Sequence, residues 1–375
     1  MPFDLSTLSL YPATPEQTLE ARCRTHNEWG RGLTLEEHLT RDTAQERFEC
    51  SIDGRFMTWV LAPRDNPTTL DFKCACETFQ RIGTVYSPAL GATEDVAGYG
   101  IASVFTPQDR RGQGFATHMM SLLHWVLADE TLLPTSDFPI AKWGAPPIQV
   151  SGLRNARFST LWSDVGDFYT RCGAVSSTGG GWVVRGQSTA VWDVKSSAIS
   201  DNTDSDWVWL DDSGVAELWD EDTKTINHSL AARSSPSFSF HPSRGVAAFQ
   251  ARRLDMYNAR LANPPDIWGV TSSDHTTYAT WAIDPRPPAK RQLVTRLQAE
   301  AHTLPALLEK MFQIARKNGV QLIEVWGLSK DMEEVVRTLG ARVFERDEHL
   351  PAFKWYGKES EDKVSWAFNE RFCWC

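Results

Sequence analysis

The sequence predicts an α/β chain of two domains, each a mixed sheet covered by helices, and three observations carry that prediction. Strand-like and helix-like periods alternate through the first half in the order strand, two helices, three strands, helix, strand, helix, strand. A polar, acidic, serine-rich stretch at 196–206 then interrupts the pattern as a linker would. Beyond it the second half echoes the first: Trp162, a helix and Cys172-Gly173-Ala174-Val175 return as Trp326, a helix and Leu339-Gly340-Ala341-Arg342-Val343. These features divide the chain into a domain at 1–195, a linker at 196–206 and a domain at 207–375, and 375 residues is long enough for two.

Each element has a local reason. Leu5 to Tyr11 alternates as a strand, and Thr14-Pro15-Glu16-Gln17 then offers an N-cap, a proline at the first helical position and a capping-box glutamine. Helices follow at 15–28 and 34–46. Arg55–Leu61, Leu70–Phe79 and Tyr99–Phe105 are aromatic or alternating strands, and Phe115–Ala128 is a helix. Thr131 to Arg157, with four prolines and Trp143, is a long insert of the kind that covers substrate sites. Phe158–Trp162 is a strand, Ser163-Asp164 an N-cap, Asp167–Ala174 a helix ending on Gly173, and Trp182–Arg185 and Ala190–Trp192 closing strands. In the second half, strands at Tyr278–Ile283, Gln321–Trp326, Arg342–Phe344 and Phe353–Tyr356 alternate with helices at Leu304–Lys317 and Lys330–Leu339.

Composition excludes several classes. A net charge of −10 argues against nucleic acid as a partner. No run approaches the 18 or so apolar residues of a membrane span. Met1-Pro2-Phe3-Asp4 lacks a secretory leader, and seven scattered cysteines make no disulfide framework, so a cytoplasmic setting is expected. Cys74-x-Cys76 and Cys373-x-Cys375 are too closely spaced for a zinc site, so no metal is expected. His118 and His124 read as structural histidines.

The most informative segment is Ser103-Val104-Phe105-Thr106-Pro107-Gln108-Asp109-Arg110-Arg111-Gly112-Gln113-Gly114-Phe115-Ala116. An apolar strand feeds a loop with two arginines and two glycines, which opens directly into a helix. The first amides of that helix lack partners within it, and its dipole favours negative charge there, so the segment is a phosphate cradle. No Gly-Lys-Ser/Thr follows, which excludes a Walker loop, and the third glycine of the dinucleotide fingerprint is missing.

Arg111-Gly112-Gln113-Gly114-Phe115-Ala116 resembles the pyrophosphate loop of the GCN5-related N-acetyltransferases (GNAT), Arg/Gln-x-x-Gly-x-Gly/Ala. Asp167-Phe168-Tyr169-Thr170-Arg171-Cys172-Gly173 is similar to their later Leu-Tyr-x-x-x-Gly-Phe helix. Tyr99–Phe105, Ser163–Tyr169 and Asn369–Cys375 extend the resemblance over both halves, to fungal lysine N6-acetyltransferases of the LYC1 type. The resemblance implies a GNAT fold followed by a second, degenerate GNAT-like domain that shapes the substrate site. It implies acetyl-CoA as cosubstrate and a small-molecule amine as acceptor, foremost the N6 amine of free L-lysine in lysine catabolism. Protein or peptide lysine acetylation and a non-enzymatic CoA-binding interaction protein are the alternatives.

The resemblance also assigns residues. Backbone groups of Ser103, Val104 and Phe105 would hold the pantetheine arm and polarise the thioester carbonyl. Gly112, Gln113, Gly114, Phe115 and Ala116 would bind the pyrophosphate, with Arg110 and Arg111 adding charge. Tyr169 would be the general acid at the leaving sulfur. The glutamate that some relatives keep on the cofactor strand is Gly98 here, and Glu94 and Asp95 precede the strand in an expected loop. A C-terminal carboxylate, at Cys375, is the remaining candidate base. The second half has no cradle, since Asp284-Pro285-Arg286-Pro287-Pro288 stands where the loop is expected to recur and Val336 where Tyr169 stands. Arg244, Arg252 and Arg253 are candidates for gripping a substrate carboxylate.

Overall fold

The fold follows from where aromatic strands find partners. The computed structural model describes residues 3–175, 179–199 and 206–375, so residues 200–205 of the expected linker lie outside the described residues. In the first half the elements are β1 (Leu8–Pro12), α1 (Pro15–Trp29), α2 (Leu35–Ala44), β2 (Phe56–Pro63), β3 (Cys74–Ser87), β4 (Ala92–Phe105), α3 (Phe115–Leu127), α4 (Ile140–Trp143), β5 (Ala156–Ser163), β6 (Val183–Val184) and β7 (Ser188–Asp193). In the second half they are β8 (Trp207–Leu210), α5 (Asp212–Ala231), β9 (Ser237–Phe240), α6 (Phe249–Asn258), β10 (Gly269–Ser272), β11 (Tyr278–Asp284), β12 (Arg291–Gln298), α7 (Leu304–Lys317), β13 (Leu322–Trp326), α8 (Lys330–Thr338), β14 (Arg342–Glu345), β15 (Leu350–Trp355) and β16 (Ser365–Trp366).

Local chemistry sets the helix starts. Thr14 and Thr34 each accept from the N–H three residues on, while Gln17 and Glu37 return the bond, so α1 and α2 both begin on capping boxes. Helix α7 buries Leu304, Leu307, Leu308, Met311 and Phe312 at the expected helical spacing. Helix α3 is buried on nearly every side, because the 131–157 insert covers its outer face: Phe138 packs edge-on to Trp125 and Trp143 to His118.

The strands form two mixed sheets. The first runs β1-β2-β3-β4-β5-β15-β6, with β9 against the far half of β3 and β16 against β9. The second runs β14-β7-β13-β12-β11-β10-β8. Two strands therefore cross the expected division. β7, read as closing the first domain, pairs with β13 and β14 of the second sheet, where Trp192 joins the apolar cluster under α7. β15, read as the end of the second domain, pairs with β5 and β6 of the first sheet. Its Phe353 and Trp355 are buried with Phe158 and Phe238 in a core drawn from both halves. Burying one such side chain is worth about 1.5–3 kcal/mol, which no exposed alternative for β15 would recover.

Three further expectations are corrected. Residues 70–73 form a turn, and β3 starts at Cys74 and continues to Ser87. β4 starts at Ala92, so Glu94 and Asp95 lie inside the strand. The helix expected at Asp167–Ala174 is a single 3-10 turn, Phe168–Arg171. Ser163 there closes a tight turn with Gly166 and Val165 instead of capping a helix. The carbonyls of Tyr169 and Thr170 accept from Trp182 and Gly181, so the returning chain takes the acceptors a longer helix needs.

Candidate active site

The site starts where two parallel strands part. β4 pairs with β5 from Ala97 to Ile101, and beyond that point the strands diverge. At the same place β4 carries an extra residue against β3: Glu77 faces Ala102 while Ala75 faces Phe105. Ser103 sits in this bulge with φ +54°, a left-handed backbone that costs a non-glycine residue about 1–2 kcal/mol. Its hydroxyl donates to Glu77 Oε2 at 2.6 Å, which holds the bulge in place. Burial and the nearby Asp42 push the Glu77 carboxyl up from the usual range, against the pull of Ser103 and Arg22. Ser103, Val104 and Phe105 all line the cleft that opens here.

The chain then makes the cradle. A 3-10 turn at Gln108–Arg110 leads to Gly112 and Gly114, at φ +78° and +82°, where a side chain would be strained. Gly114 precedes α3 without a side-chain cap. Among the described residues, no protein acceptor takes the backbone N–H groups of residues 112–117. Gly112, Gly114, Phe115 and Ala116 line the cleft, whereas Gln113 is exposed outside its lining. Arg111 also lines it, with Nε on the Thr106 carbonyl at 3.0 Å and Nη2 3.3 Å from Glu28. Arg110 is largely committed to structure: Nη1 donates to the Phe72 carbonyl at 2.7 Å and Nη2 to Asp71 at 2.5 Å.

The remaining wall comes from both halves. Tyr169 is buried on the 3-10 turn and faces the cleft, and burial pushes its phenol up from the ordinary value. Asp164, just past β5, accepts from the His349 N–H at 2.7 Å and lies 3.0 Å from His349 Nδ1. Burial would raise the Asp164 carboxyl, but its bonds to His349 hold it below the usual range. Arg253, Arg286 and Arg371 enter from the second half. Arg286 grips Asp284 through Nε and Nη2, and Arg371 meets Glu324 at 2.7 Å, so each spends only part of its five donors. Lys142 and Trp143 of the insert complete the cleft, whose volume is about 1050 Å³.

Other expected residues fall elsewhere. Arg252 pairs on the surface with Asp212 and Asp255, and Arg244 lines a different cavity. Gly98 cannot be an acid position: a Cβ there would stand 2.6 Å from the Phe158 ring. Glu94 approaches Arg157 at 3.7 Å and Asp95 accepts from Thr84 at 2.9 Å, both outside the cleft lining. Cys375 lines the cleft, with Sγ 2.7 Å from a Cβ built on Gly100. His124 bridges Tyr356 and the Cys172 carbonyl, and burial lowers it to about 3; burial likewise takes His118 to about 4. The seven cysteines are free thiols. Among the described residues, no group of three or more His, Cys, Asp or Glu could hold a metal ion, and no helix is long and apolar enough to cross a membrane.

Residues 191–375 match a family described as the LYC1 GNAT-like C-terminal domain. The match falls on the half that carries β15, His349 and Arg371, while the cradle lies in the other half. A curated "Lysine acetyltransferase" of Yarrowia lipolytica is 27% identical over 165 residues, which cover 44% of this chain and 40% of that protein. The second half is thus similar to the C-terminal domain of LYC1-type GNAT proteins. The aligned part spans less than half the length of that curated relative.

Solved GNAT-type structures share the fold along nearly the whole chain. One, from Enterococcus faecalis V583 and described as a probable N-acyltransferase, is 13% identical with a TM-score of 0.53, covering 93% of this chain and 72% of that one. A GCN5-related N-acetyltransferase from Anabaena variabilis is 12% identical with a TM-score of 0.50, covering 93% and 73%. At this identity they speak to architecture alone, and they do so for both sheets of this chain.

Sequence reasoning missed Glu77, the Asp164–His349 pair, Arg286 and Arg371. Asp164 and His349 are 185 positions apart, and only the β5–β15 pairing brings them together. Glu77 carried one usable signal, as the one acid of β3, a strand that buries most of its side chains.

Proposed function

We propose that this chain moves the acetyl group of acetyl-CoA onto the N6 amine of a free amino acid, L-lysine foremost, as an opening step of lysine catabolism in the cytoplasm. The observation that carries the reading is one cleft with unpartnered main-chain amides at one end and an arginine-rich wall beside the Asp164–His349 pair at the other.

The residues fit the cosubstrate. Amides of residues 112–117 at a helix N-terminus suit a diphosphate, and Arg111 adds charge. When bound, acetyl-CoA supplies an acyl thioester. The backbone of Ser103–Phe105, held by Glu77, would pair with the pantetheine arm, and the amide of Val104 or Phe105 would polarise the carbonyl.

An alkyl ammonium has an ordinary pKa of about 10.4, so the acceptor must first lose a proton. We assign that role to His349, oriented through Nδ1 by Asp164. The Tyr169 phenol, raised by burial, keeps its proton for the leaving sulfur. Unused donors of Arg253, Arg286 and Arg371 suit a substrate carboxylate, and Asp164 suits a second ammonium. Cationic and anionic groups side by side suit the adjacent α-carboxylate and α-ammonium of a free amino acid, which a peptide ties up in amide bonds.

An amine panel tests this by CoA release. Turnover with L-lysine is expected, and His349→Ala should lower kcat by about a hundredfold or more while CoA binding persists. Activity on ornithine, spermidine or a histone peptide but not lysine would overturn the acceptor. Tight CoA binding without thiol release would make the chain a CoA-binding protein instead.

A further inference from the structure

A second cavity of about 400 Å³ lies where the first sheet changes partner along β3. Up to Gln80 the strand is flanked by β2, and the Gln80 N–H donates to the Arg55 carbonyl at 2.7 Å. From Gly83 onward it is flanked by β9, and the His241 N–H donates to the Ile82 carbonyl at 3.0 Å. Arg81 occupies the seam between them.

The side chain of Arg81 is only 3% exposed. Burying a guanidinium costs several kcal/mol unless an anion compensates it. Its nitrogens find carbonyls rather than carboxylates: Nη1 donates to Cys373 O at 2.6 Å, Nη2 reaches Trp374 O at 3.5 Å, and Nε is buried without a partner. Arg55 and Arg244 line the same cavity. Arg55 is balanced in part by exposed Asp53, at 3.2 Å. Exposed Arg244, on the loop after β9, has no ion pair among the described residues. Asp95 is the one acid in the lining, and it is engaged by Thr84 at 2.9 Å and lies 3.5 Å from His241 Nε2. Three guanidinium groups thus face one occupied carboxylate.

We propose that this cavity is a second anion site, which takes a small carboxylate or phosphate compound and communicates with the main cleft through Arg81. The link is short and runs through hydrogen bonds to the chain's last residues. Arg81 holds the carbonyls of Cys373 and Trp374, and Trp374 and Cys375 line the cleft. The site itself stands independently of the acetyl-transfer reading.

The test is thermal unfolding in saturating CoA, so that the cradle is filled, with inorganic phosphate or malonate titrated at constant ionic strength set by NaCl. A saturable rise of a few degrees is expected with at least one anion; a response to phosphate alone or to malonate alone identifies the headgroup. Arg244→Ala, which removes an exposed side chain, should abolish the rise while keeping acetyl transfer in anion-free buffer. Arg81→Met should abolish it too. In wild type the same anion should shift the acceptor KM severalfold. No rise with either anion, or an equal rise in Arg244→Ala, overturns the site. A rise without any change in KM overturns the coupling.

Discussion

The two sheets contain the same junction in two chemical states. In the first, antiparallel β3 and β4 lead through α3 to β5, which runs parallel to β4; in the second, β11 and β12 lead through α7 to β13, parallel to β12. Even the bulge recurs, since β12 carries Thr295 as an extra residue against Thr280 and Trp281. The loop before α7 is therefore 299–303, and not the expected 284–288, which only turns β11 into β12. There the Glu300 carbonyl takes the N–H groups of Thr303 and Leu304, and Pro305 has none to give. Behind the bulge, Arg296 is buried between Asp222 and Glu370, filling the space that is a cleft in the first sheet. Topology is thus shared, while an anion site needs two further things: amides left unpaired and room in front of them.

Breaking the plug tests this most severely. Arg296→Met leaves Asp222 and Glu370 buried without their cation, and a loss of about 3–5 kcal/mol is expected in chemical denaturation. An unchanged midpoint would mean that the ion cluster is incidental.

Breaking the cradle comes next. Gly112→Val with Gly114→Val strains two left-handed positions and moves the amides, each worth about 1.5–3 kcal/mol to a charged acceptor. CoA affinity by calorimetry should fall by about a hundredfold or more, with an unchanged circular dichroism spectrum.

The plug also carries a pH signature. Burial, with Asp222 adding, pushes Glu370 up to about 7, although Arg296 opposes the shift. A carboxyl raised in the folded state contributes stability that is complete below its ordinary pKa of about 4.3 and is lost as pH climbs through 7. Between pH 5 and 8, wild type should therefore lose a few degrees of Tm relative to Glu370→Gln.

Much of this contrast could be read from sequence, because the cradle is local. Two glycines, two arginines and a following helix lie within a few residues, and the α1 capping box and the α7 stripe are equally short-range. What escaped was long-range. β7 and β15 exchange sheets because of what their tryptophans and phenylalanines pack against, and no periodicity encodes that. The turn at Phe168–Arg171 lost its helix to hydrogen bonds from Gly181 and Trp182. The plug joins residues 222, 296 and 370, and the Asp164–His349 pair joins two halves.

The bulges sharpen the comparison further. Ser103 is held by a carboxylate, whereas Thr295 is held by a neutral hydroxyl, Thr280, at 2.8 Å. If Glu77 fixes the amides that face the thioester, Ser103→Ala and Glu77→Gln should each lower kcat about tenfold, or about 1.4 kcal/mol, with CoA affinity little changed. Equal losses in both quantities would make Glu77 a structural residue only.

The smallest expected effect is the most discriminating. Replacing Glu300 with Arg, Ala301 with Gly and Thr303 with Gly writes a glycine-arginine loop into the second junction. If loop sequence alone made the site, the variant would bind a second equivalent of CoA. Pro305 still withholds an amide from the first turn of α7, and Arg296 with its two carboxylates still fills the space behind the bulge. Calorimetry should accordingly keep one CoA per chain. A second equivalent would show that the plug and the proline are dispensable, and that the two junctions differ by their loops alone.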